Sequence, residues 1–322
     1  MRYFLAICLF VLFALPAYAQ KRKKNLPAEA TIRVQEWVSY SIFSESPKDF
    51  SKHQLNDWVW IDTLSLFVDK VEVTNIHWLK FMASCDNRET YPDLESRNMK
   101  QSDMKASMTQ IYPYQEKLQN KILLPDTTVW EDIDDTYVHN YFRYPGFLYF
   151  PLVGITKYQA EMFCAWRSIF VTNAYNKSGK SLAKKYHIEI TFRLPTEKEW
   201  EILAQGKNKH PHGFKKLSKK ERKHYKPDKD RLYAACRKMT LDSIPYISDY
   251  IFSHPPNTYN LHNTIGNVAE MVQEEGIAKG GSWYHSLEES AIKERQIYTK
   301  PTAWLGFRCV ATVKLTPKKK ER

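Results

Sequence analysis

The chain has 322 residues and a formal net charge of +12, with 43% hydrophobic and 14% aromatic residues. Twenty Tyr and nine Trp against ten Gly exclude a disordered or fibrous chain, and the length allows one large domain or two. The basic excess comes without a nucleic-acid-binding motif, so it points to an anionic surface or an acidic envelope protein and not to nucleic acid.

The first residues set the expected compartment. Arg2 precedes an apolar run from Phe4 to Leu15, and Pro16-Ala17-Tyr18-Ala19 places small residues ahead of Gln20. That layout predicts a cleavable secretory signal over residues 1–19. The run is too short for a membrane-spanning helix of about 20 residues. Cys8 lies inside it, too early to accept a lipid after cleavage. The expectation is an exported protein, periplasmic or outer-membrane-associated, with no transmembrane segment after signal cleavage.

Residues 20–55 are polar and lack periodicity. From Asp57 the pattern changes. Trp58–Ile61 and Leu64–Val68 read as short strands. Thr74 then caps a helix from Asn75 to Ser84 with Ile76, Leu79, Phe81 and Met82 on its apolar face. Residues 86–130 read as a surface insertion. Tyr141–Phe150 is aromatic and turn-like. Thr156 with Gln159 forms a capping box, opening a helix with a stripe of Tyr158, Met162, Phe163, Trp166 and Phe170. Thr196 with Glu199 forms a second box, opening a helix through Ala204 that Gly206 ends. Residues 207–235 read as a basic excursion, dense in Lys and Arg from Lys215 to Arg231. The last third reads as turns around Gly266, Gly280-Gly281 and Gly306, closed by a strand from Phe307 to Val313. Residues 314–322 form a basic tail. Few regular elements among many aromatics predict an irregular α+β domain over residues 56–313.

The chain keeps Cys85, Cys164, Cys236 and Cys309 after the predicted signal. An even count in an oxidising compartment suggests disulfides, and four cysteines allow three pairings.

Seven blocks in order carry a resemblance. Glu72-Val73-Thr74-Asn75 begins it, followed by Pro151–Thr156 running to Phe163-Cys164-Ala165-Trp166. Arg193-Leu194-Pro195-Thr196-Glu197 with Glu199-Trp200-Glu201 comes next. Tyr259-Asn260-Leu261 and Gly266–Glu270 follow, then Lys279-Gly280-Gly281-Ser282-Trp283 and Gly306-Phe307-Arg308-Cys309. Together they resemble the formylglycine-generating-enzyme, or sulfatase-modifying factor, domain. The resemblance implies a compact α+β fold with a C-type-lectin-like core. Pro125–Trp130 and Tyr141–Phe147 resemble more narrowly GldJ and GldK, the gliding-motility and type IX secretion proteins of Bacteroidetes.

Enzymes of the family oxidise a substrate cysteine to formylglycine with a copper ion held by two cysteines, and thiolates are soft ligands suited to Cu(I). Those positions, just after the Gly280-Gly281-Ser282-Trp283 turn, hold His285 and Ser290 here. Copper is therefore not expected, and no catalytic residue is assigned. His285 alone would be a weak metal ligand, and His210-Pro211-His212 reads as solvated loop. The resemblance further implies a Cys164–Cys309 disulfide, and a calcium site of Asn263 and Glu270 side chains with Gly266 and Val268 carbonyls; hard oxygen donors on a tight turn suit calcium. Arg193, Trp200, Trp283 and Arg308 are expected to brace the core.

The sequence thus predicts a non-catalytic scaffold or binding protein of the cell envelope, within a secretion or gliding assembly and in contact with an envelope protein partner. The alternative is an oxidase or formylglycine-generating-type enzyme that modifies exported substrates with other residues. Carbohydrate or peptidoglycan binding follows only from analogy with lectin-like folds.

Overall fold

The computed structural model describes residues 58–86, 123–177, 179–224, 234–236 and 247–318. The expectations for the signal segment, for residues 20–55 and for most of the 86–130 insertion lie outside these residues. So does the side chain of Cys85.

In chain order, β1 (Trp58–Ile61) turns directly into β2 (Leu66–Asp69). Helix α1 (Asn75–Asp86) follows, its first turn anchored by the Trp78 N–H donating to the Thr74 carbonyl. Two carboxylate caps then order the stretch before the aromatic turn. Asp126 accepts from the Thr128 N–H, and Asp134 from the Thr136 N–H, the latter opening α2 (Asp135–Asn140). Helix α3 (Lys157–Lys177) is the longest, and the box between Thr156 and Gln159 caps it in both directions. After α4 (Ser181–Lys185) comes β3 (Tyr186–Arg193), then α5 (Glu197–Gln205) under the reciprocal Thr196/Glu199 box. Helix α6 (Lys219–His224) lies in the basic excursion. The chain closes through β4 (Ala269–Met271), β5 (Ile277–Lys279), β6 (Gln296–Ile297), β7 (Leu305–Gly306) and β8 (Val310–Pro317).

The strands form two sheets. One, antiparallel, runs β1-β2-β8-β3; the other runs β6-β5-β4-β7, with β4 and β7 parallel. Helix α3 covers the first sheet. Phe163 meets Phe307 edge-on at 5.7 Å between centroids, and the Thr172 hydroxyl bonds both the N–H and the carbonyl of Ile190. The result is a mixed α+β fold, as expected, with one aromatic-rich core between the helices and both sheets.

Three expectations need correction. The α3 stripe fails only at its start: Tyr158 stands 66% exposed, whereas Phe163 is buried and Met162, Trp166 and Phe170 pack against the core; the fully buried face also takes in Ala160, Cys164, Arg167, Val171 and Tyr175. Arg167 turns inward because Asp69 receives its guanidinium in two hydrogen bonds and Phe192 stacks beneath it at 4.1 Å. The final strand starts later, at Val310, and runs on to Pro317, so residues 314–317 of the expected basic tail pair with β3 instead. His210-Pro211-His212 is not simply solvated: both imidazoles pack on Phe214, and His212 Nε2 lies 2.8 Å from the Leu287 carbonyl. No helix among the described residues is long and apolar enough to cross a membrane.

Candidate functional site

The family's cysteine positions sit on the loop that follows β5. Gly281 N–H donates to the Gln296 side-chain oxygen at 2.9 Å, and Gln296 donates in turn to the Glu289 carbonyl. One buried amide therefore clamps both ends of the 281–289 loop. Nothing in the local sequence marks Gln296. Inside the loop, Ser282 Oγ lies 2.7 Å from His285 Nδ1 and accepts from the Tyr284 N–H. Ser286 and Glu289 cap each other reciprocally, which winds a tight turn and carries Ser290 inward. Ser290 is fully buried, and its hydroxyl donates to the Ser286 carbonyl at 2.7 Å. His285 faces the Trp304 ring edge-on at 4.9 Å. Trp283 anchors the loop, its indole N–H donating to the Ala303 carbonyl and its ring stacking on Trp130 at 6.0 Å.

This donor set does not fit a copper ion held by two thiolates. An imidazole and a serine hydroxyl are harder ligands, and the hydroxyl is already a donor to backbone. Among the described residues no three His, Cys, Asp or Glu side chains converge as a metal site would need.

A second cluster lies beneath, in the residues matched to calcium. Glu270 on β4 is buried, and Arg308, also buried, pairs with it at 2.7 Å. Arg308 also donates to the carbonyls of Asp69 and His262, so it joins β2, the 262 turn and β4. The Trp200 indole N–H adds a fourth contact to Glu270, at 2.8 Å. Glu72 completes the cluster, accepting from the amides of Asn267 at 2.8 Å and Asn263 at 3.1 Å. Burial pushes the Glu72 carboxyl up to about 7, eased by the Arg308 charge. Sequence reasoning gave Glu72 and Asn267 no role, since their signal is long range: they meet across 195 residues.

The calcium set divides. Asn263 Oδ1 is buried and has no hydrogen-bond partner among the described residues, as a cation ligand would be. It also lines a water-sized cleft with Lys215, Pro255 and Thr264. Glu270 does not fit. A carboxylate offers about four lone-pair sites, and Arg308 with Trp200 occupies them. In place of an ion, Glu270 here meets the buried Arg308 guanidinium. The expected result is an unfolding midpoint that is the same in millimolar calcium and in excess chelator. A rise of several degrees with calcium would show that the ion displaces Arg308 from Glu270.

The remaining predicted residues brace the core. Arg193 forms two 2.7 Å bonds to Glu199, and Trp200 and Trp283 are buried. Cys164 on α3 and Cys309 just before β8 are brought together as thiols, Sγ to Sγ 3.6 Å.

The sulfatase-modifying factor enzyme 1-like domain matches residues 58–313. Two curated relatives are named inactive C-alpha-formylglycine-generating enzyme 2. The Bos taurus protein is 27% identical over 185 residues, 51% of each chain. The Mus musculus protein is 25% identical over 180 residues, 50% of this chain and 49% of its own. The chain spans about half the length of these relatives. Among solved structures, Treponema denticola variable protein 1 covers 76% of this chain and 84% of its own, at 18% identity and a TM-score of 0.42. CarF covers 79% and 87%, at 13% identity and a TM-score of 0.41.

Proposed function

Because the chain belongs to the sulfatase-modifying factor enzyme 1-like domain family, we propose that it is a non-catalytic binding or scaffold protein of the cell envelope. The observation that carries this reading is the pair His285 and Ser290 where the family's copper-binding cysteines would stand, within a loop whose turn, clamp and anchor are all in place. The frame of the loop is present and the two thiols are not. The word inactive in the names of both curated relatives supports the same reading.

The site within a secretion or gliding assembly is proposed from the segments that resemble GldJ and GldK. Trp130, Tyr141 and Phe147 come from those segments and join Trp283 in one aromatic cluster against the cysteine-position loop. That cluster places the exposed rings of Tyr144 and Tyr284 at its ends, where an envelope partner would meet them. The secretory signal predicted for residues 1–19 supports export.

The test is chemical. A sulfatase-type cysteine peptide is incubated with the protein, copper and oxygen and followed by mass spectrometry. The expected result is an unchanged cysteine. Time-dependent conversion to formylglycine would refute the non-catalytic reading.

A further inference from the structure

The long excursion after α5 touches the cysteine-position loop at two places. On the outer side, the Ile292 N–H donates to the Pro211 carbonyl at 3.1 Å, and His212 contacts the Leu287 carbonyl. On the inner side, the tripeptide 234–236 is inserted between the Gly266 turn and Ser290. The Ala235 carbonyl accepts from the Asn267 N–H at 2.8 Å, and Ala235 is fully buried. Cys236 Sγ donates to Ser290 Oγ at 3.6 Å. Ala234 and Cys236 pack with Trp200, Ile265 and Ile292 in one apolar cluster.

Two glycines make the insertion possible. A Cβ on Gly266 would stand 2.7 Å from the Ala235 carbonyl oxygen and 2.9 Å from Cys236 Sγ. A Cβ on Gly281 would stand 1.9 Å from Ser290 Oγ. Both residues have positive φ, which only glycine adopts without strain. Ser290 is therefore enclosed by Gly281 on one side and by a sulfur from 54 residues upstream on the other. Among the described residues, two of the sides from which a metal ion or a peptide side chain could approach Ser290 are thus taken by this chain's own atoms.

We propose that residues 234–236 are a built-in plug, which seals the family's second cysteine position against metal and substrate. The inactivity of the chain is then doubly secured: the thiols are gone, and the space they would use is filled from within. The proposal rests on the non-catalytic reading only in taking position 290 as the family's cysteine position. It makes its own demand, that restoring the two cysteines does not restore the site.

The double variant His285→Cys/Ser290→Cys is prepared reduced, then exposed to oxidised glutathione, which accepts the two electrons and two protons as two thiols join. The expected product is a disulfide between Cys236 and the introduced thiol at position 290, found by peptide mapping. With copper and oxygen the variant is expected to leave a cysteine peptide unconverted. In the unaltered protein, Cys236 is expected to alkylate at least about a hundredfold more slowly than in the urea-unfolded chain, since reaction requires local opening. That second measurement stands even if the variant does not fold. Rapid native alkylation of Cys236 would overturn the plug. So would a variant whose two introduced thiols bind stoichiometric Cu(I) while Cys236 remains free for alkylation. Turnover by the unaltered protein would instead sink the functional reading and leave the plug to be judged by alkylation.

Discussion

Replacing Arg308 with Met is expected to lower stability by about 3–5 kcal/mol, the cost of leaving a buried charge without its partner. Arg308 is 1% exposed and balances Glu270, with the Glu72 carboxylate close enough to feel its charge. Its guanidinium also holds the carbonyls of Asp69 and His262, so three separate segments lose a common donor at once. Methionine fills much of the volume and supplies none of these bonds. In a domain of this size the melting temperature should fall by roughly 10 °C. Calorimetry at pH 7 is the check. A companion variant, Glu270→Gln paired with Arg308→Met, should recover part of the loss, because no uncompensated charge then remains at that pair. A single variant as stable as the parent would mean that water reaches Glu270, and the buried network would have to be abandoned.

The second large effect concerns Cys164 and Cys309. Their sulfurs are 3.6 Å apart, and a disulfide needs about 2.05 Å, so closure asks for a small shift within a tight core. Burial pushes the Cys309 thiol well above its usual range, so thiolate is scarce and oxidation of the folded protein is expected to be slow. The bond is expected to form while the chain folds under oxidising conditions. Protein folded with a glutathione redox pair should show the two peptides linked without reduction. Closing so long a loop should add about 4–5 kcal/mol under the chain-entropy model. Cys164→Ser/Cys309→Ser should lose that increment under oxidising conditions and much less under reducing ones. Complete alkylation of both thiols in protein folded oxidatively would refute the pairing.

Much of the frame was readable because its signals are local. Thr156 with Gln159 and Thr196 with Glu199 announce their helices three residues ahead, and both boxes form as read. Strand β3 was equally readable and was missed: Ile188, Ile190 and Phe192 alternate with exposed His187, Glu189 and Thr191, the two-residue period of a half-buried strand. The buried face of α3 was not readable, because its inward Arg167 depends on Asp69, 98 residues earlier. The same limit hid Glu72, Gln296 and Cys236. Each is an ordinary residue in sequence and acquires its role from a partner that only the fold brings near. The resemblance, in turn, could imply metal ligands at Asn263 and Glu270 but not that Arg308 takes the lone pairs of Glu270.

Copper stoichiometry measures the central claim most directly. The mature protein, folded oxidatively and purified, is reduced at its surface, loaded with excess Cu(I), passed through a desalting column and analysed for metal per chain. With His285 and Ser290 in the cysteine positions and Cys236 enclosed against Ser290, copper well below one equivalent is predicted, unchanged in His285→Ala. One tightly held copper per chain that disappears in His285→Ala would contradict the account, since it would place a working soft-metal centre in the 281–290 loop.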